Sequence, residues 1–234
     1  MAKQNLIYER AVSLSTQAHK NFSIDMSGGY SFAKHVNSVP ILAEEFMAAS
    51  TDCVVVFSGS AGDVFPAVLL SAESNQNKFV DENGAWTGLY VPAFLRRYPF
   101  VFTQGPEAEQ LTLCIDEEFE GANSEGLGER LFSENGTRTQ YLESKLQFAV
   151  QYQNQHSQTK EFCMRLIELD LLEPAVANFN GDANQPRSLS GFFRINREKL
   201  KAIPPQVLNT MFEKDELELC YIHLQSFRNL HKLA

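Results

Sequence analysis

Two adjacent arginines set among aromatic residues are the part of this chain with the most chemistry to offer. They stand in Arg96-Arg97-Tyr98-Pro99, with Tyr90 and Phe94 before them, Phe100 after them and the only tryptophan, Trp86, upstream. A guanidinium presents a planar fork of N–H donors that matches a carboxylate, while neighbouring aromatic faces attract the cation and restrict water. The pattern points to recognition of an anionic peptide or protein group, with Trp86, Tyr90, Arg96, Arg97 and Tyr98 as contact residues. The competing reading is internal: either arginine can pair with Asp116 or Glu117 while the rings fill the core.

Other reactive constellations are weaker. His35 together with Asp116 or Glu117 supplies the residue types of an acid-base pair, which would suit an enzyme acting on a peptide or amino-acid derivative, provided the groups converge on one substrate atom. Ser58-Gly59-Ser60-Ala61-Gly62 follows an apolar run as a nucleophile elbow does, but it leads towards Asp63 and Pro66 rather than into a helix, so a hairpin turn is the better reading. Cys220 and His223 share a helix face and make half a metal site at most. No zinc-type pair of cysteines, phosphate-binding glycine loop or dinucleotide fingerprint is present, and neither a metal nor a cofactor is expected.

The elements that must position these residues are legible in part. Val39-Pro40 after Ser38 predicts an amphipathic helix over 39–49. Cys53 to Phe57 and Phe65 to Leu70 read as two buried strands joined by a glycine-rich turn, and Asn83-Gly84 marks another turn. Further strands are expected at 86–91, 99–103 and 111–116, mostly antiparallel because their connections are short. Helical periodicity starts near Thr139, with Leu142, Leu146, Ala149 and Val150 as one stripe and Phe162, Leu166, Ile167 and Leu169 as another. Between the stripes lies a polar stretch, compatible with one long helix or with two that meet at a bend. A hairpin with a flexible tip at 181–186 follows, then a helix capped by Asn196 and broken at Pro204-Pro205. Leu217, Tyr221, Leu224 and Phe227 form the last apolar stripe. The whole reads as one α+β domain over 1–234, with a mostly antiparallel sheet in the N-terminal half and a largely helical C-terminal half.

Composition narrows the function classes. The 234 residues are 44% hydrophobic and 11% aromatic, enough for a real core. A net charge of -9 opposes binding to polyanions, so nucleic acid is not an expected partner. Four widely spaced cysteines and a polar start without a secretory apolar run point to the cytoplasm, with the thiols free and buried. No stretch approaches the roughly 18 uninterrupted apolar residues of a membrane span.

The block from Phe79-Val80-Asp81-Glu82-Asn83-Gly84-Ala85-Trp86 into Tyr90-Val91-Pro92-Ala93-Phe94-Leu95-Arg96-Arg97-Tyr98-Pro99-Phe100 resembles the signature of the bacterial SapC family. Similar segments occur in the same order elsewhere, including Phe32 to Pro40, Leu113 to Asp116, Leu171 to Pro174 and Gly191-Phe192-Phe193. The resemblance implies a link to surface-layer or cell-envelope biology. It also implies a setting near TonB-dependent receptors, tryptophan-halogenase-like proteins and cupin-like hydroxylases, where this chain would be an accessory protein with a protein or peptide partner, a halogenase-like or cupin-like protein among the candidates. It carries over no catalytic residues. The peptide-transport permease that shares the family's name is a different protein, since this chain offers no membrane span.

Overall fold

Continuous buried runs rich in β-branched residues make the first strong strands, and the computed structural model, which describes residues 7–60, 62–104, 111–180 and 186–233, shows what pairs with them. The strands in chain order are β1 Ala11–Ser13, β2 Ser23–Ile24, β3 Ser38–Pro40, β4 Val54–Ser60, β5 Asp63–Leu69 and β6 Phe100–Gln104. They continue with β7 Leu111–Asp116, β8 Ala122–Asn123, β9 Glu129–Arg130, β10 Leu172–Asn180 and β11 Pro186–Ile195. The helices are α1 Thr16–His19, α2 Phe46–Ala49, α3 Ala93–Arg96, α4 Gln140–Glu168, α5 Arg197–Lys201, α6 Pro205–Glu213 and α7 Glu216–Ser226. The fold is α+β, and every strand pairing is antiparallel.

Two compact units emerge from the chain's contacts. The first gathers residues up to Lys34, Val80–Trp86 and Phe94–Asn154; the second gathers His35–Phe79, Thr87–Ala93 and Gln155 onwards. In the first unit, the order β1-β7-β6 forms one small sheet and β8-β2-β9 another. Ile24, Phe100, Ile115, Leu131, Phe132 and Leu142 form its buried cluster. Thr139 starts α4 there by accepting the Leu142 N–H on its hydroxyl at 3.3 Å.

The second unit is built on a five-stranded sheet, β10-β11-β4-β5-β3. The predicted strands over 53–57 and 65–70 are the β4–β5 hairpin, in register from Val54↔Leu69 to Ser60↔Asp63. Ser60 is therefore a strand-end residue, with no helix behind it to make an elbow. Val54, Val56, Ala67, Leu69, Ala175 and Phe192 pack with Leu233 in one cluster, while Phe57 meets Phe46, Phe162 and His223. Asn196 caps α5 by accepting two N–H groups, and Pro205 opens α6, as the sequence suggests. The residues expected to form a flexible hairpin tip lie largely at 181–185, outside the described residues. All four cysteines are free and buried.

Three expectations need correction. The expected helix over 39–49 is a strand, β3, followed by a turn of 3-10 helix at Ala43–Glu45 and the short α2. Val39 is fully buried opposite Val68, and sheet pairing outweighs the cap signal at Ser38. No strand covers 86–91: only an isolated bridge, Val80↔Trp86, touches that stretch. Pro92 has no N–H to give a ladder, and the segment is held by side-chain acceptors instead. Finally, the residues of α7 at or near zero exposure are Cys220, His223 and Ser226 rather than the apolar stripe, and Tyr221 is exposed. Sequence periodicity missed this because the polar groups are matched: the Ile195 N–H donates to His223 Nε2 at 3.1 Å, and the Val55 N–H donates to Ser226 Oγ at 3.0 Å.

Candidate functional site

The aromatic block is positioned by a glycine contact. Asp81 Oδ1 accepts the N–H groups of Asn83 and Ala85, closing the Asn-Gly turn, and Gly84 adopts φ 80°. Its carbonyl accepts the Tyr30 N–H at 2.8 Å. A Cβ on Gly29 would stand 2.5 Å from that same oxygen, so only glycine permits the approach. Trp86 is half-buried as a result, with its ring 5.9 Å from that of Tyr30 and edge-on to it.

The two arginines have different fates. Arg97 is buried, and its guanidinium lies over the rings of Tyr152, Phe94 and Tyr8 at 4.4, 4.6 and 5.7 Å. No carboxylate pairs with it among the described residues, so the anticipated ion pair with Asp116 or Glu117 is replaced by aromatic faces. Burial pushes the Tyr8 phenol up to about 12, with the Arg97 charge opposing the rise. Arg96 is exposed, and its guanidinium lies 5.2 Å from the Phe148 ring centre. Lys145, one turn before Phe148, lies 5.3 Å from the Tyr141 ring. Tyr141, Lys145, Phe148 and Tyr152 follow helical spacing, so α4 carries three aromatic steps, each faced by a cation. Burial holds the Lys145 ammonium below its ordinary range, and the Arg96 charge adds to that effect. Lys145 has no carboxylate partner among the described residues. Burial raises the Tyr30 phenol, and the Arg96 charge opposes the rise.

Tyr98 and Asp116 form a different kind of centre. Asp116 is fully buried and accepts the N–H groups of Glu9 at 2.8 Å, Arg10 at 2.9 Å and Glu118 at 3.2 Å. The Tyr98 hydroxyl donates to its Oδ2 at 3.2 Å, and burial followed by the Asp116 charge raises the Tyr98 phenol far above its usual value. This carboxylate ties the end of β7 to the residues just before β1. Asp116→Asn must turn an amide N–H towards a backbone N–H whichever way it is placed, and should lower stability by about 3 kcal/mol in urea denaturation. An unchanged midpoint would show that the hydrogen bonds do not hold the site.

The remaining candidates separate by unit. Tyr90 belongs to the second unit, where its hydroxyl donates to Glu45 Oε1 at 2.9 Å. His35 is an exposed residue of the second unit whose Nδ1 lies 3.4 Å from the Asn75 carbonyl oxygen, whereas Asp116 and Glu117 belong to the first. Glu117 is engaged within its own unit by the buried His19, 3.0 Å from Nε2, and by Arg10 at 2.6 Å. Sequence reasoning passed over His19, Tyr30, Lys145 and Phe148. The Tyr141-Lys145-Phe148-Tyr152 spacing carried the signal for two of them; His19 and Glu117 are joined only by tertiary structure.

The model of a protein family described as SapC matches residues 14–233. The chain belongs to the SapC family. No curated protein and no solved structure matches it. The block that resembles the family's signature has a physical reading here: Trp86 and Arg96 face outward in part, Arg97 and Tyr98 are buried, and Tyr90 with Ala93 serves Glu45. Among the described residues, no helix is long and apolar enough to cross a membrane, and no cluster of His, Cys, Asp or Glu could hold a metal.

Proposed function

We propose that this SapC-family chain is a binding or accessory protein, one domain in function, whose first-unit surface around Arg96 and Trp86 recognises an anionic group on a protein or peptide partner. The observation that carries the reading is the exposed Arg96 beside Lys145, a desolvated ammonium with no carboxylate partner among the described residues, flanked by Tyr30, Trp86 and Phe148. Two like charges held together on aromatic faces, in a chain of net charge -9, are stabilised when an anion arrives. Aromatic and arginine side chains also supply large area with a directional polar contact, the combination found in binding hot spots. Buried free thiols fit a reducing cytoplasm. On this reading the partner belongs to surface-layer or envelope biology, or to a TonB-dependent uptake system with halogenase-like or cupin-like proteins, the settings that the family resemblance implies.

The acid-base alternative receives less support. Asp116 accepts four hydrogen bonds, and Glu117 is engaged by His19 and Arg10. The test is co-purification from the native cell with wild type, Arg96→Ala and Lys145→Ala. Each variant should keep a thermal midpoint close to wild type while recovery of the specific partner falls on the order of tenfold, the effect of losing about 1.4 kcal/mol of binding. Undiminished recovery with both variants would overturn the proposal.

A further inference from the structure

A cavity of about 360 Å3 lies wholly within the first unit and is independent of the Arg96 surface. One wall is aromatic: Phe32 stacks on Tyr98 at 4.2 Å, and Phe119 stands edge-on to Tyr98 at 5.2 Å and to Phe32 at 6.3 Å. The opposite character comes from Glu9, Asp25, Glu118 and Glu120, which also line it. The segment carrying Phe119 and Glu120 is seated by its glycine: the Asp25 N–H donates to the Gly121 carbonyl at 2.8 Å, and a Cβ on Gly121 would stand 1.9 Å from the Asp25 oxygen. The wall is thus fixed by backbone contact rather than by a loose loop.

The charges in the cavity are not balanced from within. Arg10 holds Glu118 at 2.9 Å. Asp25 accepts the Ser27 N–H and hydroxyl at 2.9 and 2.8 Å, and these bonds hold its carboxyl below the ordinary range, so it is ionised. Glu9 and Glu120 meet no cation among the described residues, and the Glu9 charge is felt at the Tyr98 hydroxyl. Aromatic faces carry negative potential, so rings and carboxylates here act in the same direction. A mineral ion would need several oxygens converging within a short distance, and the carboxylates form no such group among the described residues. An organic cation needs less: one or two carboxylates for its charge and ring faces for its stem. The volume suits a ligand the size of one amino-acid side chain or a little larger.

The geometry points to a binding site for an organic monocation, an ammonium or guanidinium on a short apolar stem, with Glu9 and Glu120 facing the charge and Phe32, Tyr98 and Phe119 facing the stem. The cation is either a free amine or the basic side chain of a peptide. Isothermal titration of the full-length protein at low salt, with butylammonium, N-acetyl-lysine methylamide, N-acetyl-arginine methylamide and the neutral N-acetyl-norleucine methylamide, tests it. At least one cation should bind saturably, and the norleucine compound should bind on the order of tenfold more weakly or not at all. Binding of butylammonium indicates a free amine; binding of the peptide-like cations alone indicates a basic side chain. Glu9→Gln and Glu120→Gln, both exposed positions, should each weaken the cation several-fold. Arg96→Ala should leave it unchanged, which keeps this result separate from partner capture. Absence of saturable binding by every cation, equal binding of the neutral compound, or indifference to both glutamate variants would overturn the site.

Discussion

Acidification from about pH 7.5 to pH 5 should destabilise the wild-type protein by about 2 kcal/mol more than it destabilises a His223→Gln variant. His223 is fully buried between Phe57 and Phe227, with ring centres 5.0 and 5.3 Å away. Burial depresses its imidazole to about 3, a shift the nearby Val55 carbonyl opposes and the Arg194 charge assists. Nε2 accepts the Ile195 N–H, so the proton sits on Nδ1. The sign follows directly. Above about pH 6.5 both folded and unfolded chains carry a neutral imidazole, and its full contribution is present. Below that value the unfolded chain binds a proton that the folded chain refuses until about pH 3, and stability falls by up to about 1.4 kcal/mol for each pH unit. Glutamine can still accept the Ile195 N–H and cannot titrate, so it should lose the slope whatever it does to stability at neutral pH. Urea denaturation midpoints at three pH values measure this; parallel slopes for the two proteins would contradict it.

Glu45→Ala should cost about 4 kcal/mol of stability. Glu45 is buried, and its Oε2 accepts the Leu42 N–H at 2.7 Å. Its Oε1 accepts the Ala93 N–H at 2.7 Å and the Tyr90 hydroxyl at 2.9 Å. Removing the carboxylate strands two backbone donors in the interior, each worth about 1 to 3 kcal/mol when unsatisfied. Tyr90→Phe deletes one donor and leaves the carboxylate its two others, so about 1 kcal/mol is expected. Glu45→Gln should lie between them, because an amide can satisfy only part of the set. Chemical denaturation of the three variants gives the order, and a Tyr90→Phe loss as large as that of Glu45→Ala would refute this division.

That carboxylate also explains why one part of the chain misled sequence reasoning. Residues 86–91 have the composition of a strand, yet Tyr90, with Ala93 just beyond, is held by Glu45, forty-odd positions away, and nothing local announces such an acceptor. Where the determinant is local, the reading succeeds: the β-branched run of β4, the Asn-Gly turn at Gly84, the Asn196 cap and the start of α4 at Thr139 all depend on residues a few positions apart. The polar stretch in the middle of α4 belongs to one continuous helix, Gln140–Glu168, which helical periodicity left open. Val150 was assigned to the apolar stripe but is exposed, while the buried face includes Tyr152, whose ring carries Arg97. Aromatic rings that host cations escape a pattern search for apolar residues alone. The arginine pair was visible from the start; its division into one sealed and one exposed guanidinium was not, because adjacent positions differ only in which way the backbone turns them.

Trp86 offers a use beyond recognition. As the sole indole it belongs to the first unit, and the second unit contains none. Its emission is therefore a built-in probe of the first unit, whereas far-ultraviolet dichroism records helices and strands throughout. Following both signals through one melt shows whether the chain comes apart in a single event or in stages, with no label attached.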